Sequence, residues 1–435
     1  MQVGALPEGC GLRPFSSLPE PRELAAWADE MFDHIALLES SSGVGEKSRF
    51  TIVAIGAEKY VEEPEPLKVY DSLDSLVGRP SCSFVPCPGL SIGVVGYEAV
   101  ASAEPWLEPK LSRHSWPSLV GFEPEVLAIY DNHLGRVIVC PRDAELGARS
   151  IPGFSRASGP VYETPRREFE SWVGEALEMI RSGEFIQVVL SRVERYEYSG
   201  SPLALYSRLA GLNPSPYMFY IRAGVRWIAG SSPELLLKMD NGRLETHPIA
   251  GTRPRGRDGL EDLRLEEELL ADEKERAEHL MLVDLARNDL GVHAVPGSVR
   301  VTRFMDVEKY SSVQHIVSRV EATAKRGVRY SEVLKAVNPA GTVSGAPKPR
   351  AMEAIAALED EPRGPYAGAV GLFADYAGET AIIIRSLWSA GDDLVETRAG
   401  AGIVFDSRPE REYMETVHKL AAVRRALGLG GGGGV

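Results

Sequence analysis

Alternation of apolar and polar positions divides the chain into blocks of strands and blocks of helices. Period-two patterns predict strands at residues 49–55, 90–97, 125–130, 136–140, 186–193, 217–221, 227–229 and 235–239, with a final meander at 368–373, 379–389 and 394–405. Helical periodicity predicts helices at residues 23–38, 166–182, 203–209, 263–287 and 349–358, and a last helix that begins after Ser407. Because strands and helices come in blocks, the sequence predicts an α+β fold built on a large antiparallel sheet.

Composition and turn residues predict the domain organisation. A stretch rich in Gly, Ser and Pro at residues 151–160 is typical of a linker, and it separates an N-terminal region, residues 1–160, from a second region, residues 161–427. The closing residues, 428–435, are mostly glycine and have few side chains to pack. We therefore expect them to form a disordered tail.

The bulk charge and the cysteines exclude some classes of function. The 435 residues carry a net charge of −14, which argues against nucleic acid or an anionic membrane as a partner. No apolar run reaches the roughly 20 residues that a bilayer-spanning helix needs, and no secretion signal precedes the first helix. The four cysteines show no metal-ligand spacing. They are typical of reduced thiols in a cytoplasmic protein, with a Cys82–Cys87 bridge left open.

Carboxylates on two distant predicted helices are the strongest chemical pattern. Glu275 and Glu278 are three residues apart, and Glu278 shares a helical stripe with apolar residues. Glu412, Glu415 and Lys419 repeat this spacing on the last helix. Each helix can therefore aim two acids at one point, and Mg²⁺ takes oxygen ligands of this kind. The alternative interpretation is a solvated acidic face with ion pairs within each helix.

Several other polar residues stand where they could serve chemistry or only structure. Glu234 lies between two predicted strands, as a general acid or a turn residue. Thr342 lies in a Gly-rich loop, residues 339–348, whose amides could bind an anion or only form a turn. His315 shares a strand face with two valines, which is typical of a core histidine. Arg385 follows three isoleucines and requires an anionic partner if it is buried.

Taken together, these segments resemble the motif series of the chorismate-utilising enzymes. The matching segments are residues 186–192, 248–256, 278–290, 314–318, 341–350 and 400–404, in family order. The resemblance implies that the antiparallel sheets pack as a sandwich with helices outside. It also implies a Mg²⁺-assisted attack of a nucleophile on chorismate. We therefore expect the N-terminal region to contribute to the same sheet core.

The resemblance also implies roles for individual residues. Glu278 and Glu415 would hold Mg²⁺, with Glu275 and Glu412 supporting them through water or by orientation. Glu234 would protonate the leaving 4-hydroxyl, and His315 would serve the proton transfer that expels pyruvate. The remaining residues would bind the substrate carboxylates or shape the pocket: Gly251, Thr252, Thr342, Tyr366, Arg385, Gly400, Ala401, Gly402 and Lys419.

Two positions discriminate between branches of this family. Enzymes that add water resemble one another in a lysine base where this chain has Gln187, and aminodeoxychorismate synthases in a lysine nucleophile where it has Ala250. With neither lysine present, the nucleophile must come from outside. This favours ammonia attack followed by pyruvate loss, which is the reaction of the anthranilate synthase component I branch. The resemblance implies that such an enzyme is a lyase and that its reaction is the first committed step of tryptophan biosynthesis.

A second group of residues agrees with that branch. Glu39 and Ser40, together with Pro216, Tyr217 and Met218, resemble its pocket for feedback inhibition by L-tryptophan. The alternative interpretation is a helix end and a turn that leads into a strand. The chain has no Gly-x-Cys-x-Gly nucleophile turn. We therefore expect ammonia from solution or from a separate glutamine amidotransferase subunit, component II.

Three other functions stay open at this point. They are aminodeoxychorismate synthase component I, an isochorismate or salicylate synthase, and a non-catalytic tryptophan-binding or scaffold protein. The first two are disfavoured by Ala250 and Gln187 respectively. The third is disfavoured because every residue that the family would use is present.

Overall fold

Two large antiparallel sheets organise the molecule. The computed structural model describes residues 7–40, 49–79, 88–310 and 313–429. In the first sheet the strands follow the order β1-β8-β7-β3-β2-β11-β12-β21-β22-β10-β18, and β9 also pairs with β10. Its strands are β1 (Gly11–Pro14), β2 (His34–Glu39), β3 (Phe50–Ile55), β7 (Val126–Asp131), β8 (Arg136–Cys140), β9 (Pro160–Glu163), β10 (Gln187–Glu197), β11 (Tyr217–Ala223), β12 (Arg226–Ser232), β18 (Gly345–Ala346), β21 (Ser386–Ser389) and β22 (Leu394–Ile403).

The second sheet has the order β15-β17-β14-β13-β20-β19-β5-β6-β4, and β16 also pairs with β17. Its strands are β4 (Lys59–Glu63), β5 (Ser91–Val95), β6 (Leu119–Glu123), β13 (Leu235–Asp240), β14 (Arg243–Thr246), β15 (Ile249–Pro254), β16 (Arg300–Lys309), β17 (Val313–Thr323), β19 (Ala369–Phe373) and β20 (Gly378–Ile382). Both sheets thus combine strands from the first 160 residues with strands from the C-terminal part of the chain.

The helices lie around these sheets. They are α1 (Pro21–Met31), α2 (Val69–Leu76), α3 (Arg166–Arg181), α4 (Pro202–Leu212), α5 (Gly259–Ala271), α6 (Glu273–Gly291), α7 (Tyr330–Val337), α8 (Lys348–Leu358) and α9 (Pro409–Ala426). Helix α6 packs on β15 and β17, whereas α9 packs on β22. Of the helices in the described residues, none combines the length and the apolar character that crossing a lipid bilayer requires.

Strand alternation divides the apolar residues between two cores. In β3, Ile52 and Ala54 join a large core that contains residues from both sheets. Val53 and Ile55 point the other way, into a second core that includes buried residues of α1, α4 and α9. Because successive side chains of a strand face opposite sides, one buried strand serves both layers. The predicted α+β sandwich with outer helices is confirmed.

The predicted helix at residues 23–38 is wrong in its second half. Helix α1 ends at Met31, and residues 34–39 form β2. Ile35 and Leu37 belong to the second core, which includes residues of α1, α4 and α9, while Ala36 belongs to the large core that contains residues from both sheets. Successive side chains therefore point to opposite faces, as in a strand. The spacing of apolar residues in this segment fits a helix, but the burial of successive side chains on opposite faces requires a strand.

The predicted single helix at 263–287 is two helices. Asp272 has extended backbone, φ −71° and ψ 108°, and it ends α5 and caps α6 at the same time. Its side chain accepts hydrogen bonds from the amides of Lys274 and Glu275 at 3.0 and 3.2 Å. An aspartate that satisfies the free amides of a helix start favours such a break.

The predicted final meander is divided between the sheets. Strands β19 and β20 belong to the second sheet, and β21 and β22 belong to the first. The chain crosses over after Ile382, where Arg385 adopts a positive φ of 53°. A non-glycine residue with this backbone cannot continue a strand.

The prediction that all cysteines are reduced thiols is also wrong. Cys10 and Cys140 form a disulfide with Cα atoms 4.4 Å apart. The pairing of Gly11 with Val139 in β1 and β8 brings the two cysteines together. Neither the spacing nor the local pattern of the sequence indicates this pairing. The predicted Cys82–Cys87 alternative and most of the glycine tail lie outside the described residues.

Candidate active site

Helix α6 presents the carboxylates of Glu275 and Glu278 beside β10, β15 and β22. Glu275 forms an ion pair with Arg253 of β15, at 3.3 Å. Glu278 is half-buried, and its Oε1 lies 3.4 Å from Nε2 of Gln187 at the start of β10. Burial raises the pKa of Glu278, and the neighbouring charges of Glu275 and Glu415 raise it further. The carboxylates of two different helices therefore share one electrostatic environment.

Helix α9 supplies the facing groups. Burial and the charge of Glu415 raise the pKa of Glu412, although Ser407 donates a hydrogen bond that opposes the rise. Glu415 pairs with Lys419 at 2.6 Å. Although burial disfavours the ammonium form, Glu415 holds the pKa of Lys419 above its usual value. The crowding of carboxylates indicates a need for positive charge beyond that of one lysine.

Strand β22 connects the two helices. Lys419 Nζ donates to the carbonyl of Gly400 at 2.8 Å. A Cβ at Gly400 would come within 2.6 Å of the Tyr366 hydroxyl, and one at Gly402 would come within 2.7 Å of Gln187 Nε2, with Glu278 Oε1 at 3.7 Å. These positions therefore tolerate little beyond a hydrogen. Ala401 differs, since its side chain is fully buried in the large core and only its backbone can face a ligand.

The donor set fits a hard divalent cation that is held by few protein ligands. In the parts of the chain that the structure describes, no three His, Cys, Asp or Glu side chains form a metal-binding cluster. Glu278 and Glu415 nevertheless interact electrostatically. Mg²⁺ is commonly held by one or two carboxylates, with water and substrate oxygens completing its shell. A half-buried carboxylate with a raised pKa, Glu278, and a second carboxylate from another helix within its electrostatic reach are compatible with this kind of site.

Glu234 lies at the junction of β12 and β13, where it is 5% exposed. Its amide donates to Ser232 Oγ at 3.3 Å, and its carbonyl accepts from Ile382, which fixes its backbone. Burial raises the pKa of Glu234 to about 8, although Thr342, the Ile249 amide, Arg385 and Lys419 oppose the rise. At neutral pH the carboxyl group is thus mostly protonated and able to donate a proton.

His315 lies on β17, next to Thr252 of β15. Its Nδ1 is 3.0 Å from Thr252 Oγ1 and 3.1 Å from the carbonyl of Gly251. A carbonyl only accepts, so Nδ1 carries the proton and Nε2 has a free lone pair. Burial, followed by the charge of Arg385, lowers the pKa of His315 to about 4. The ring is therefore neutral at pH 7 and can accept a proton through Nε2.

Arg385 and Lys419 provide the positive charge of the site. Arg385 lies between β20 and β21, and its carbonyl accepts a hydrogen bond from the Ser231 amide at 3.2 Å. Burial lowers the pKa of Arg385, while Tyr310 and Glu234 oppose that change. Both cations act on Glu234 and His315. Two cations beside one proton donor and one proton acceptor are suited to binding an anion that undergoes proton transfer.

Gly251 brings the backbone of the second sheet beside Glu275. It has a φ of +70°, and a Cβ would come within 3.1 to 3.3 Å of Leu269, Ile316 and Glu275. The preceding residue, Ala250, is 9% exposed and pairs with Ile316. A larger residue at 250 or 251 would therefore have to displace its neighbours.

The five residues of the predicted tryptophan pocket come together at one end of β2 and β11. Glu39 pairs with Met218 across these strands, Ser40 follows β2, and Pro216 directly precedes β11, which begins at Tyr217. Two residues that the sequence did not indicate complete the cluster. Arg22 binds Glu39 at 3.0 Å, and the Tyr206 hydroxyl donates to it at 2.6 Å.

Sequence reasoning also missed Tyr310. The ring of Tyr310 contacts that of His315 edge to face, with centroids 5.6 Å apart. The Tyr310 hydroxyl interacts electrostatically with Glu234 and Arg385. Nothing in the local pattern of β16 and β17 indicates this position. Only the pairing of strands places the tyrosine beside the histidine.

Comparison with known proteins agrees with the geometry. The family model for chorismate binding enzymes matches residues 35–425. Anthranilate synthase component 1 of Aeropyrum pernix is 54% identical over 97% of this chain and 96% of its own length. The protein of that name from Saccharolobus solfataricus is 45% identical over 96% of this chain and 99% of its own.

Solved structures show the same architecture. Anthranilate synthase component I from Streptococcus pneumoniae has a TM-score of 0.74 and 32% identity, and the match covers 89% of this chain and 93% of that one. The menaquinone-specific isochorismate synthase MenF of Escherichia coli has a TM-score of 0.76 at 21% identity, covering 98% and 96% respectively. The second likeness concerns the fold alone.

Proposed function

Because the chain belongs to the family of chorismate-binding enzymes, we propose that it is an anthranilate synthase component I, a lyase that aminates chorismate with ammonia and releases pyruvate. One observation supports this most strongly. Glu234, protonated at neutral pH, lies within the electrostatic reach of Arg385 and Lys419, and Lys419 in turn interacts with Glu415 and Glu278. Elimination from a dianionic substrate with a bound metal ion requires an acid for the leaving group, cations for the substrate carboxylate and a pair of carboxylates for the metal.

Substrate binding follows from the charges. Arg385 and Lys419 would hold the enolpyruvyl carboxylate, with the backbone of β22 near Gly402 beside it. Gly251 and Thr252 would form the opposite wall, and Thr342 and Tyr366 would close the pocket. These fixed cations offset the overall negative field of a protein with a net charge of −14.

Magnesium is part of the proposal. Glu278 and Glu415 would hold it, and Glu275 and Glu412 would orient or reach it through water. When bound, the ion would neutralise the ring carboxylate and so offset the charge that builds up as ammonia adds. Support comes from the raised pKa of Glu278, which reflects burial beside other acids and so a need for positive charge.

Proton transfers are assigned to two residues. Glu234 would donate a proton to the 4-hydroxyl as it leaves, a task that suits a carboxyl group with a pKa of about 8. Neutral His315 would accept a proton through Nε2 in the step that expels pyruvate and makes the ring aromatic. Thr252 and the Gly251 carbonyl fix the orientation of the His315 imidazole ring.

The identity of the nucleophile rests on two side chains. Gln187 is buried and touches Glu278 but has no basic nitrogen, so it cannot activate water as a lysine would. Ala250 has no nucleophilic atom. External ammonia is therefore the nucleophile. It would come from solution or from a separate glutamine amidotransferase subunit, since the relatives are called component 1 and the chain has no glutaminase motif.

Feedback by L-tryptophan is the regulatory part of the proposal. The cluster of Glu39, Ser40, Pro216, Tyr217 and Met218 offers a carboxylate for an ammonium group and apolar surface for an indole. Met218 also pairs with Ser231, whose amide donates to Arg385. A ligand that moves β11 would therefore move a residue that binds substrate.

The test is the identity of the product. Purified protein is incubated with chorismate, Mg²⁺ and an ammonium salt, and the products are separated and identified by fluorescence and NMR. We expect anthranilate and pyruvate in equal amounts, and neither with EDTA. A 4-amino product, or turnover that does not change when ammonium is omitted, would overturn the proposal. Unconsumed chorismate under all conditions would do the same.

A further inference from the structure

A buried arginine behind the site makes several contacts that the proposed chemistry does not use. Arg363 is 1% exposed and lies in the loop after α8. Its guanidinium forms a two-pronged ion pair with Glu359, at 2.9 and 2.5 Å. A paired guanidinium in the interior is stable only where its other donors also find acceptors. Where those donors go therefore shows what the residue holds in place.

The remaining donors reach two different elements of the site. One terminal nitrogen of Arg363 donates to the carbonyl of Val343 at 2.8 Å, and the other to the carbonyl of Val189 at 2.7 Å. Val343 directly follows Thr342, and Val189 lies two residues after Gln187 on β10. One planar group thus fixes the Gly-rich turn relative to β10.

The guanidinium also lies over an aromatic ring of the proposed pocket. The Arg363 Cζ is 5.5 Å from the ring centre of Tyr366 and 4.7 Å from that of Tyr97. The Tyr366 hydroxyl in turn approaches Gly400, whose carbonyl accepts from Lys419. A line of contacts therefore runs from Arg363 to a cation of the site without Arg363 reaching the pocket itself.

The backbone of this loop is fixed from the other side. The Glu98 carboxyl accepts hydrogen bonds from the amides of Arg363 and Gly364, at 2.8 and 3.1 Å. Glu359 also accepts from the amide of Ser191 on β10 at 2.7 Å. The loop is thus held at one end to β10 of the first sheet through Glu359, and at the other by Glu98, which follows β5 of the second sheet. Arg363 is the group that reaches inward from it.

We infer that Arg363 is a positioning residue for the chorismate pocket, which acts through Tyr366 and the Thr342 turn and does not touch substrate. The inference rests on the proposed function, since it concerns the same pocket. Its physical basis is that a lysine has neither the planar fork nor the stacking face of an arginine. A lysine at this position can keep the charge opposite Glu359 but cannot hold both carbonyls and the tyrosine ring.

The experiment compares Arg363→Lys with a matched control. Arg222 is paired with Asp29 at 2.8 Å and donates to the carbonyls of Asp29, Phe32 and Gly224, outside the site. Arg222→Lys therefore loses the same kinds of bonds. We expect the KM for chorismate to rise about tenfold in Arg363→Lys and to stay unchanged in Arg222→Lys. Thermal unfolding separates this effect from a loss of folded protein.

A cycle with Tyr366→Phe tests the route of the effect. If Arg363 acts through Tyr366, the double variant raises KM by less than the product of the two single effects. Glu359→Gln is the second variant, since it keeps the guanidinium but weakens its anchor, and it should also raise KM. An unchanged KM in Arg363→Lys and Glu359→Gln, with only the melting temperature lowered, would overturn the inference.

Calorimetry of chorismate binding distinguishes this inference from the function on which it rests. If the wild-type protein neither binds nor converts chorismate, both fail. If the wild type binds and converts it while the lysine variant binds it equally well, the inference fails and the proposed function stands.

Discussion

The amide of Ser231 donates a hydrogen bond to the carbonyl of Arg385, at 3.2 Å, and this contact joins the predicted regulatory pocket to the site. Ser231 pairs with Met218, and Met218 pairs with Glu39 on its other side. In this line of contacts, only Ser231 lies between Met218 of the pocket and Arg385 of the site. A hydrogen-bonded sheet transmits a small displacement better than a loop does, because its backbone is fixed on both sides.

Loss of the Tyr206 hydroxyl should weaken inhibition by L-tryptophan. This hydroxyl donates to Glu39 at 2.6 Å, and a hydrogen bond to a charged group contributes about 1.5–3 kcal/mol. In Tyr206→Phe we expect the half-inhibitory tryptophan concentration to rise about tenfold. The KM for chorismate without tryptophan should not change. Initial rates measured over a tryptophan series give both quantities.

Tyr220 supplies the control for this prediction. It is as deeply buried, packs near Tyr206 and donates to Asp29 instead, at 2.8 Å. Tyr220→Phe therefore removes a comparable bond without touching Glu39. If the half-inhibitory tryptophan concentration is the same for Tyr206→Phe and Tyr220→Phe, Glu39 is not part of a tryptophan site.

Replacing Thr342 should change the pH dependence of turnover. Burial raises the pKa of Glu234 to about 8, and the Thr342 hydroxyl opposes this by stabilising the carboxylate. A general acid works in its protonated form, so kcat/KM falls as pH rises through this pKa. In Thr342→Val the pKa rises further, and the basic limb of the profile should move to higher pH.

Two comparisons strengthen that measurement. Thr246 lines a cavity together with Glu234 and Thr342 but bonds weakly to the carbonyl of Leu235, so Thr246→Val should leave the basic limb in place. Glu234→Gln should lower kcat by about 100- to 10,000-fold and abolish that limb. If the limb stays where it is in both Thr342→Val and Glu234→Gln, another group is the acid.

Substitution of Ala250 by lysine should impair the reaction with ammonia. Ala250 is nearly buried beside Ile316, and a lysine would bring both bulk and a nucleophilic amine to the pocket. We expect ammonia-dependent formation of anthranilate to fall by at least about tenfold, and chorismate-derived mass to appear on the protein. Fluorescence and intact-protein mass spectrometry measure the two effects.

Ala250→Met separates bulk from chemistry, since its side chain is of similar length and carries no amine. It should reduce turnover without any added mass. Full activity of the lysine variant would remove residue 250 as a discriminator between branches of the family.

The disulfide should make a large contribution to stability. Cys10 and Cys140 are separated by 130 residues, and closing a loop of this length contributes up to about 5 kcal/mol. Cys10→Ser should therefore lower the melting temperature markedly, and treatment of the wild type with a reductant should reproduce the change. If reduced and oxidised wild type melt at the same temperature, the bridge does not stabilise the fold.

The sequence predicted the parts of the fold that depend on local periodicity. Helix α3 appears close to its predicted bounds because one of its faces is apolar, and β7 and β8 do so because they are two short apolar runs separated by a polar turn. It failed at residues 34–38, where an apolar run buried on both faces fits either type of element. It also failed at Cys10 and Cys140, because no local pattern records that β1 pairs with β8.

The candidate site shows the same division. The spacing of Glu275 and Glu278, and of Glu412 and Glu415, is a local feature, so the sequence could place each pair on one helix face. Arg22, Tyr206, Tyr310 and Arg363 were missed. Each of them meets its partner through strand pairing or a long-range contact that has no counterpart in the local pattern.

Binding of a single divalent ion by acids from two helices is the central claim. Mn²⁺ can replace Mg²⁺ as the probe, and its electron paramagnetic resonance signal reports free ion during a titration in the presence of chorismate. Asp284→Asn on α6 is the control, since that exposed carboxylate bonds only to Arg287 among the contacts of the described residues. We predict one Mn²⁺ per chain in the wild type and the control, and at least about 100-fold weaker binding in both Glu278→Gln and Glu415→Gln. Undiminished binding in either glutamine variant would contradict the account.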